Sequence, residues 1–209
     1  MFGFFKSKLK GPQLTYFVYL NQTALYRQLF NRLIREINSG GRILVVYYFS
    51  KTLEELKMLI EAGKLDYSMV GNNVDVTAKL YLASESEVLN SQSSGLNLEM
   101  FSVVIFSEIH PMAGRDLALH EHLQQYNKEA YEVFYTSMDS PIIQPFGAER
   151  IINIMKKLGM DENEMIEHDM VTQSLIKAQE KISAAVRHEK PADSAELWMS
   201  LNAGGLMTE

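Results

Sequence analysis

Five side chains between positions 108 and 122 have the chemistry to bind a metal ion or to move a proton. They are Glu108, His110, His120, Glu121 and His122. A carboxylate and an imidazole on a loop, together with a His-x-His repeat, could in principle ligate zinc. If the repeat is helical, however, His120 and His122 point to different sides of the helix and do not converge. We therefore interpret the five as solvated or capping groups and expect no metal site.

The rest of the sequence gives no clearer catalytic pattern. Asp66, Asp75 and Asp139 lack any paired arrangement, and there is no Walker loop, G-x-G-x-x-G, G-x-S-x-G, H-E-x-x-H or EF-hand sequence. The chain has no cysteine, which excludes disulfides, thiolate zinc sites and cysteine nucleophiles. We expect no resident cofactor, and an unusual enzyme would have to use Glu108, His110 and His122.

Composition is typical of a folded globular chain. Of the 209 residues, 46% are hydrophobic and 22% are charged. The formal net charge is −6, which disfavours strong binding to a nucleic-acid backbone. No apolar run approaches the ~18 residues of a membrane span. The lysines at the start follow its apolar residues, unlike a secretory signal, so we expect a cytoplasmic protein.

Helical and strand patterns alternate from residue 15 onward. The elements that they predict have to position any functional site. Ile43–Phe49 and Ser102–Phe106 are apolar on both faces, as in strands covered by helices on two sides. The predicted strands are residues 15–20, 43–49, 65–70, 76–83, 102–106 and 131–137, and a turn is expected at 71–73. This alternation predicts an α/β fold with a mostly parallel sheet.

Helix signals lie between these strands. Asn21 is a predicted N-cap for a helix with Leu25, Leu29, Leu33 and Ile37 on one stripe. Capping boxes are predicted at residues 52–55, for a helix ending at Gly63, and at residues 84–87, and another helix at 114–126. Ligands of such folds lie at the carboxyl ends of the strands, which here are residues 50–53, 84–94, 107–115 and 137–145.

Beyond residue 140 the strand pattern stops. Helices are predicted at Phe146–Leu158 and Asp169–Arg187, with a break at Gly159–Asp161. We divide the chain into a tail (1–14), an α/β domain (15–140), a helical extension (141–187) and a C-terminal tail (188–209). The apolar positions of the last helix need a cover, which could be the domain itself or a second copy of the chain.

Several segments match a known family in order. They are Phe146–Ile151 (FGAERI), Lys156–Met160 (KKLGM), Ile166–His168 (IEH), Val171–Thr172 (VT) and Ala178–Lys181 (AQEK). SecA, the preprotein-translocase motor ATPase, has F-G-S-D-R, K-L-G-M, I-E-H, V-T and A-Q-x-K. Upstream, Phe134–Ser137 resembles F-Y-L-S, Ser107–His110 resembles T-E-R-H, and Gly41–Ile60 is similar to a helicase motif IV strand and helix.

The resemblance covers roughly residues 16 to 187. It implies the second RecA-like motor domain of SecA, a three-layer α/β fold, followed by the start of the helical scaffold. The first motor domain, which carries the Walker loop, has no counterpart in the sequence.

The resemblance fails where the family meets ATP. Residues 118–128 are in register with Q-L-R-G-R-S-G-R-Q-G-D, so that His122 and Gln125 replace the two finger arginines and His120 replaces a third. Residues 83–92 are in register with A-T-N-M-A-G-R-G-T-D, with Leu89 and Gln92 in place of its Arg and Asp. Loss of an arginine finger alone costs about 10³–10⁵ in rate.

We therefore expect a non-catalytic, pseudo-motor domain that acts in protein interaction or regulation, with a link to protein export by analogy. ATP should be neither hydrolysed nor bound tightly, although weak stacking near Tyr48 is compatible with this expectation. The alternative is a regulator that keeps a small-ligand or nucleotide pocket at the strand ends. The sequence does not identify the protein partner, and it leaves dimerisation open.

The C-terminal tail carries one further candidate. Leu197, Trp198 and Leu201 would form an apolar patch on a short helical turn, and Trp198 is the sole tryptophan. Such a patch could anchor the tail in the groove of a partner. The alternatives are that Trp198 packs on its own domain or that the tail is disordered.

Overall fold

A computed structural model describes residues 14–71, 75, 77–157, 159–166 and 168–206. Predicted features at residues 1–13, Asn72, Asn73, Val76, Leu158 and Glu167 lie outside this range. The strands are β1 (Tyr16–Tyr19), β2 (Ile43–Tyr47), β3 (Ser68–Met69), β4 (Leu80–Ser84), β5 (Val103–Phe106) and β6 (Tyr131–Ser137). They form a sheet in the order β1-β6-β5-β2-β4-β3, and every neighbouring pair is parallel.

Helices cover both faces of this sheet. They are α1 (Gln22–Asn38), α2 (Ser50–Ala62), α3 (Glu85–Leu89), α4 (Ser91–Ser94), α5 (Ala113–Tyr126), α6 (Ala148–Lys157), α7 (Asp169–Ala185) and α8 (Ala195–Ala203). Alternate strand residues face α1 and α2 on one side and α5, α7 and α8 on the other, in two buried clusters. The three-layer parallel arrangement confirms the RecA-like α/β fold expected from the sequence, followed by helices.

Two of the three predicted N-caps are confirmed. The Asn21 side chain accepts a hydrogen bond from the Ala24 amide, and Ser84 and Glu87 form the reciprocal capping box of α3. The box predicted at residues 52–55 is wrong. Helix α2 begins at Ser50 after Phe49, which has no side-chain cap bond, because the Thr52 hydroxyl donates to Glu108 instead.

The C-terminal helices differ from their predicted bounds. Gly147 has φ of 88°, a left-handed conformation that separates a 3₁₀ turn at Gln144–Phe146 from α6. Helix α7 ends at Ala185 rather than Arg187. The apolar positions Val171, Leu175, Ala178 and Ile182 of α7 are buried within this chain, and Ile176 is half-buried. The residues that bury these positions therefore belong to the same chain.

Candidate functional site

The carboxyl ends of β5 and β2 lie side by side at the centre of the sheet. The chain leaves β2 into α2 on one face and leaves β5 toward α5 on the other. Neighbouring strands that diverge in this way open a crevice, which is where open α/β sheets bind ligands. We therefore take this crevice as the candidate functional site.

The carboxylate of Glu108 lies in this crevice. Its Oε1 accepts hydrogen bonds from the amides of Tyr48 and Phe49, at 2.9 and 3.1 Å, and its Oε2 accepts one from the Thr52 hydroxyl at 2.8 Å. Burial raises the pKa of Glu108 from 4.5 to about 7 against the lowering effect of these donors. The chain thus places a carboxyl group of its own at the N-terminus of α2.

His110 lies deeper in the site and is 1% exposed. Its Nδ1 accepts a hydrogen bond from the Met112 amide at 3.0 Å, and we therefore assign its proton to Nε2. The rings of Tyr48, Phe49 and Trp198 pack around it, with centroids 5.1 to 5.7 Å away. Burial, with a further contribution from the Arg115 charge, lowers the pKa of His110 to about 3, so the imidazole is neutral.

Asp116 connects the backbone of His110 to α7. It is 0% exposed and accepts hydrogen bonds from the Tyr48 hydroxyl at 2.5 Å, the His110 amide at 2.9 Å and the Gln179 amide group at 2.7 Å. Gln179 also donates to the His110 carbonyl at 2.7 Å. Burial raises the pKa of Asp116 to about 7. These contacts join the residue that follows β2, the loop after β5, α5 and α7, and Asp116 is fully buried among them.

Arg115 is the sole Lys or Arg on α5. Its guanidinium forms ion pairs with Glu85 and with Glu189, the second at 2.8 Å. Glu189 Oε1 also accepts the indole N–H of Trp198 at 2.8 Å. The cation nearest to the buried imidazole is therefore already neutralised by two carboxylates.

Residues 188–206, which we name the C-terminal segment, cover this edge of the sheet. The Asp193 carbonyl accepts a hydrogen bond from the Lys51 amide at 3.0 Å, which supplies the cap that Phe49 does not. Lys51 Nζ lies 3.2 Å from Glu196 Oε1. The segment thus completes the N-terminus of α2.

A pocket of about 110 Å³ remains between the strand ends, α1, α2 and the C-terminal segment. Its polar lining includes Glu55, Glu108, Thr136, Asp139 and Glu196, with Lys51 as its one Lys or Arg among the described residues. Four of its lining residues carry carboxyl groups: Glu55, Glu108, Asp139 and Glu196.

The five positions in register with the family's ATP-binding residues do not reach this crevice together. His120 Nδ1 lies 2.8 Å from Glu132 Oε2, and His122 Nε2 lies 3.4 Å from the Ser91 hydroxyl. Gln92 donates to the Tyr126 hydroxyl at 3.4 Å, Leu89 packs against the core, and Gln125 is exposed. These side chains contact other parts of α3, α4, α5 and β6.

The residues considered for zinc are likewise separated. Glu108 and His110 lie at the crevice, His120 and His122 bond different partners, and Glu121 is exposed. Among the described residues, no group of three or more His, Cys, Asp or Glu side chains could hold a metal ion.

The predicted apolar patch on the tail is split. Leu197 and Leu201 are each 43% exposed on α8, but Trp198 is 1% exposed and packs against His110. Trp198 is thus buried in its own domain, as the second of the three alternatives expected, and the interpretation of its ring as a free anchor is wrong. Its burial follows from the indole N–H bond to Glu189 and the ring contact with His110.

Sequence reasoning missed Asp116, Gln179 and Glu189. Asp116 and Gln179 occupy the buried stripes of α5 and α7, where a polar residue interrupts an apolar pattern. Such an interruption is a usable signal, because a buried polar group needs a hydrogen-bond partner. Glu189 carries no comparable signal.

No family model matches the chain. The SecA protein translocase subunit of Prosthecochloris aestuarii is 24% identical over 188 residues, which is 83% of this chain and 18% of the relative. The SecA of Chlorobium limicola is 33% identical over 174 residues, covering 75% of this chain and 17% of the relative. The SecA of Bacteroides fragilis is 23% identical over 179 residues, covering 79% and 16%.

The chain resembles part of SecA. The matches extend over about four-fifths of this SecA-like chain but only 16 to 18% of each of these relatives. They agree with the degenerate SecA domain expected from the sequence, and the activity and partners of whole SecA are not thereby shown for this chain.

A solved structure described as the C-terminal part of the Fun30 ATPase domain is also similar. It is 12% identical, with a TM-score of 0.43, and the match covers 77% of this chain and 57% of that one. Within the part of the SecA-like chain that the structure describes, no helix has the length and apolar character needed to cross a bilayer.

Proposed function

We propose that this SecA-like domain is a non-catalytic interaction or regulatory module linked to protein export, acting in the cytoplasm. The observation that carries the proposal is the absence of an available cation on α5, where the family register places its finger arginines. His122 and Gln125 occupy those positions, and Arg115 is held by Glu85 and Glu189. Transfer of a phosphoryl group needs positive charge at the transferred phosphate.

The charge of the crevice supports the same proposal. Glu108 occupies the N-terminus of α2, and the pocket beside it is lined by further carboxylates. A helix N-terminus normally favours an anion such as phosphate. Here a phosphate would meet the negative charges of the chain itself, so nucleotide binding is disfavoured.

The alternative function, a regulator that binds a small ligand, would use this pocket. Its volume of about 110 Å³ is well below the ~300–1,000 Å³ of typical small-molecule sites. The volume is therefore small for a whole nucleotide. A much smaller, cationic group is compatible with this volume and charge.

Nucleotide titration tests the proposal. The full chain is titrated with ATP, ADP and GTP by isothermal calorimetry, and ATP turnover is measured over the same concentration range. We expect no heat of binding at micromolar concentrations and no turnover above buffer. Micromolar affinity for any of the three, or turnover that an Arg115→Gln variant abolishes, would contradict a non-catalytic role.

The link to export has its own test. The tagged chain is recovered at low salt from its native cells, and bound proteins are identified against a tag-only control. Components of the translocation machinery are the expected result. Recovery of only unrelated proteins would remove the export link and leave the non-catalytic assignment to the nucleotide experiment.

A further inference from the structure

The pocket at the strand ends holds negative charge that no basic side chain of the described chain neutralises. Glu55 accepts hydrogen bonds from the Tyr26 hydroxyl at 2.5 Å and the Gln22 side chain at 3.2 Å. Asp139 accepts them from the Gln22 amide at 3.1 Å and the Ser137 hydroxyl at 2.6 Å. All of these donors are neutral, and each carboxylate oxygen has two lone pairs, so both groups can accept more bonds.

The cation at the rim does not change this balance. Lys51 is the one Lys or Arg among the described lining residues, and its ammonium pairs with Glu196, which lines the same pocket. Lys51 is thus neutralised by Glu196, and no described basic side chain pairs with Glu55 or Asp139. In a partly enclosed site, uncompensated carboxylates attract a cation more strongly than they would on an open surface.

A second feature, independent of the acidic residues, indicates a ligand. Thr136 lines the pocket and is 3% exposed, yet its hydroxyl makes no hydrogen bond to any described residue. The hydroxyl oxygen is not fully enclosed by protein, and Thr136 is one of the residues that line the pocket. Buried hydroxyls are usually paired, and an unpaired acceptor in a pocket lined by carboxylates suits an N–H donor.

We propose that this pocket receives a basic side chain, arginine or lysine, of a protein partner. The inference rests on the proposed function, because it names the chemistry that the interaction module would recognise. A guanidinium or ammonium group supplies several N–H donors and a positive charge, which match Glu55, Asp139 and the Thr136 hydroxyl. The pocket, at about 110 Å³, has room for such a head group and is small for a nucleotide.

The test uses three capped tripeptides, Gly-Arg-Gly, Gly-Lys-Gly and Gly-citrulline-Gly, added to the isotope-labelled full chain. Citrulline keeps the shape of arginine without its charge. We expect saturable shifts of the Gln22, Thr136 and Asp139 amide signals with arginine or lysine at a Kd of about 1 mM, and about tenfold weaker binding of citrulline. The shifts should weaken as salt is raised.

Variants locate the binding. Asp139→Asn, Glu55→Gln and Thr136→Val should each weaken binding at least about threefold, because each removes a charge or an acceptor at nearly constant shape. Glu54→Gln is the matched control, since Glu54 is exposed on the same helix as Glu55 but does not line the pocket. It removes the same charge and should leave the affinity unchanged.

Three results would overturn the inference: no saturable shift with either basic peptide, equal binding of the citrulline peptide, or equal losses from Glu54→Gln and Glu55→Gln. Each of these leaves the non-catalytic assignment standing, because that assignment fails only if nucleotide is bound or hydrolysed. Conversely, nucleotide turnover would refute the proposed function even if the basic peptides bind.

Discussion

Single carboxyl groups set much of the chemistry at the crevice. Glu108 and Asp116 both receive three hydrogen bonds, yet burial still raises their pKa values to about 7. The cost of removing a carboxylate from water therefore exceeds what neutral donors return. Ionising these carboxyl groups in the folded protein costs free energy, so the stability of the domain should depend on pH. Because both pKa values are raised, their contribution to stability should be lost as pH rises through about 7.

Glu108→Gln tests that direction. A pKa above the ordinary 4.5 means that the folded protein holds a proton that the unfolded chain releases. The contribution of Glu108 to stability is therefore complete below pH 4.5 and is lost as pH rises through about 7. The variant does not titrate, so its stability relative to wild type should rise between pH 5 and pH 8, by roughly 1 to 3 kcal/mol.

Urea unfolding followed by circular dichroism at several pH values measures this difference. The glutamine carbonyl can still accept from the Tyr48 and Phe49 amides, and its amide can donate to Thr52, so the fold should be kept. Glu54→Gln, at an exposed position, should show no such trend. A relative stability of Glu108→Gln that is flat, or that falls with pH, would contradict the raised pKa.

At the scale of elements, helix ends are determined by contacts as well as by local sequence. Asn21 and Ser84 cap their helices with their own side chains, whereas α2 receives its cap from Asp193. Gly63, which follows α2, is required by packing. A Cβ at this position would overlap the Phe30 ring of α1.

Two glycine substitutions should therefore have opposite effects. Gly63→Ala should destabilise the domain by about 1–3 kcal/mol, because the Phe30 ring of α1 would have to leave its present position. Gly114→Ala in the first turn of α5 meets nothing within 4 Å and should stabilise by about 0.4–1 kcal/mol through the unfolded chain. Thermal and urea unfolding measure both variants, and equal effects of the two would show that the Phe30 ring does not restrict the residue at position 63.

In the whole molecule, the C-terminal segment joins parts that are distant in sequence. Trp198 packs on His110, Glu189 bonds Trp198 and Arg115, and Asp193 caps α2. The segment thereby connects α2 with α5 at the carboxyl edge of the sheet. Its indole should contribute to stability as a core residue does, although it lies near the end of the chain.

Trp198→Ala should cost about 3–5 kcal/mol, as loss of a buried aromatic ring does, and Leu201→Ala on the same helix should cost about 0.5 kcal/mol or less. Unfolding followed by circular dichroism compares them without relying on tryptophan. Hydrogen exchange adds a local measurement, since the Lys51 amide should lose protection in Trp198→Ala. A cost below about 1 kcal/mol, with Lys51 still protected, would mean that the segment does not stabilise α2.

The sequence predicted the sheet well because burial on both faces leaves continuous apolar runs, as in Ile43–Phe49. It predicted β6 to the residue, and caps that depend on local spacing, such as Asn21 and Ser84. It did not predict the contacts that shape the crevice. Thr52 bonds Glu108 across 56 residues and Gln179 bonds Asp116 across 63, and no local pattern encodes such pairs.

The cap that Asp193 places on α2 also has a consequence for the order of biosynthesis. Ser50, at the start of α2, donates a hydrogen bond to the Asp193 side chain, and the two residues are 143 positions apart in the sequence. Synthesis proceeds at about 5–20 residues per second, so the ribosome needs roughly 7 to 30 seconds to travel between them. Throughout that interval α2 lacks the cap from Asp193, and the indole of Trp198 that covers His110 has not been synthesised. The nascent sheet therefore completes its carboxyl edge last, when the C-terminal segment leaves the exit tunnel.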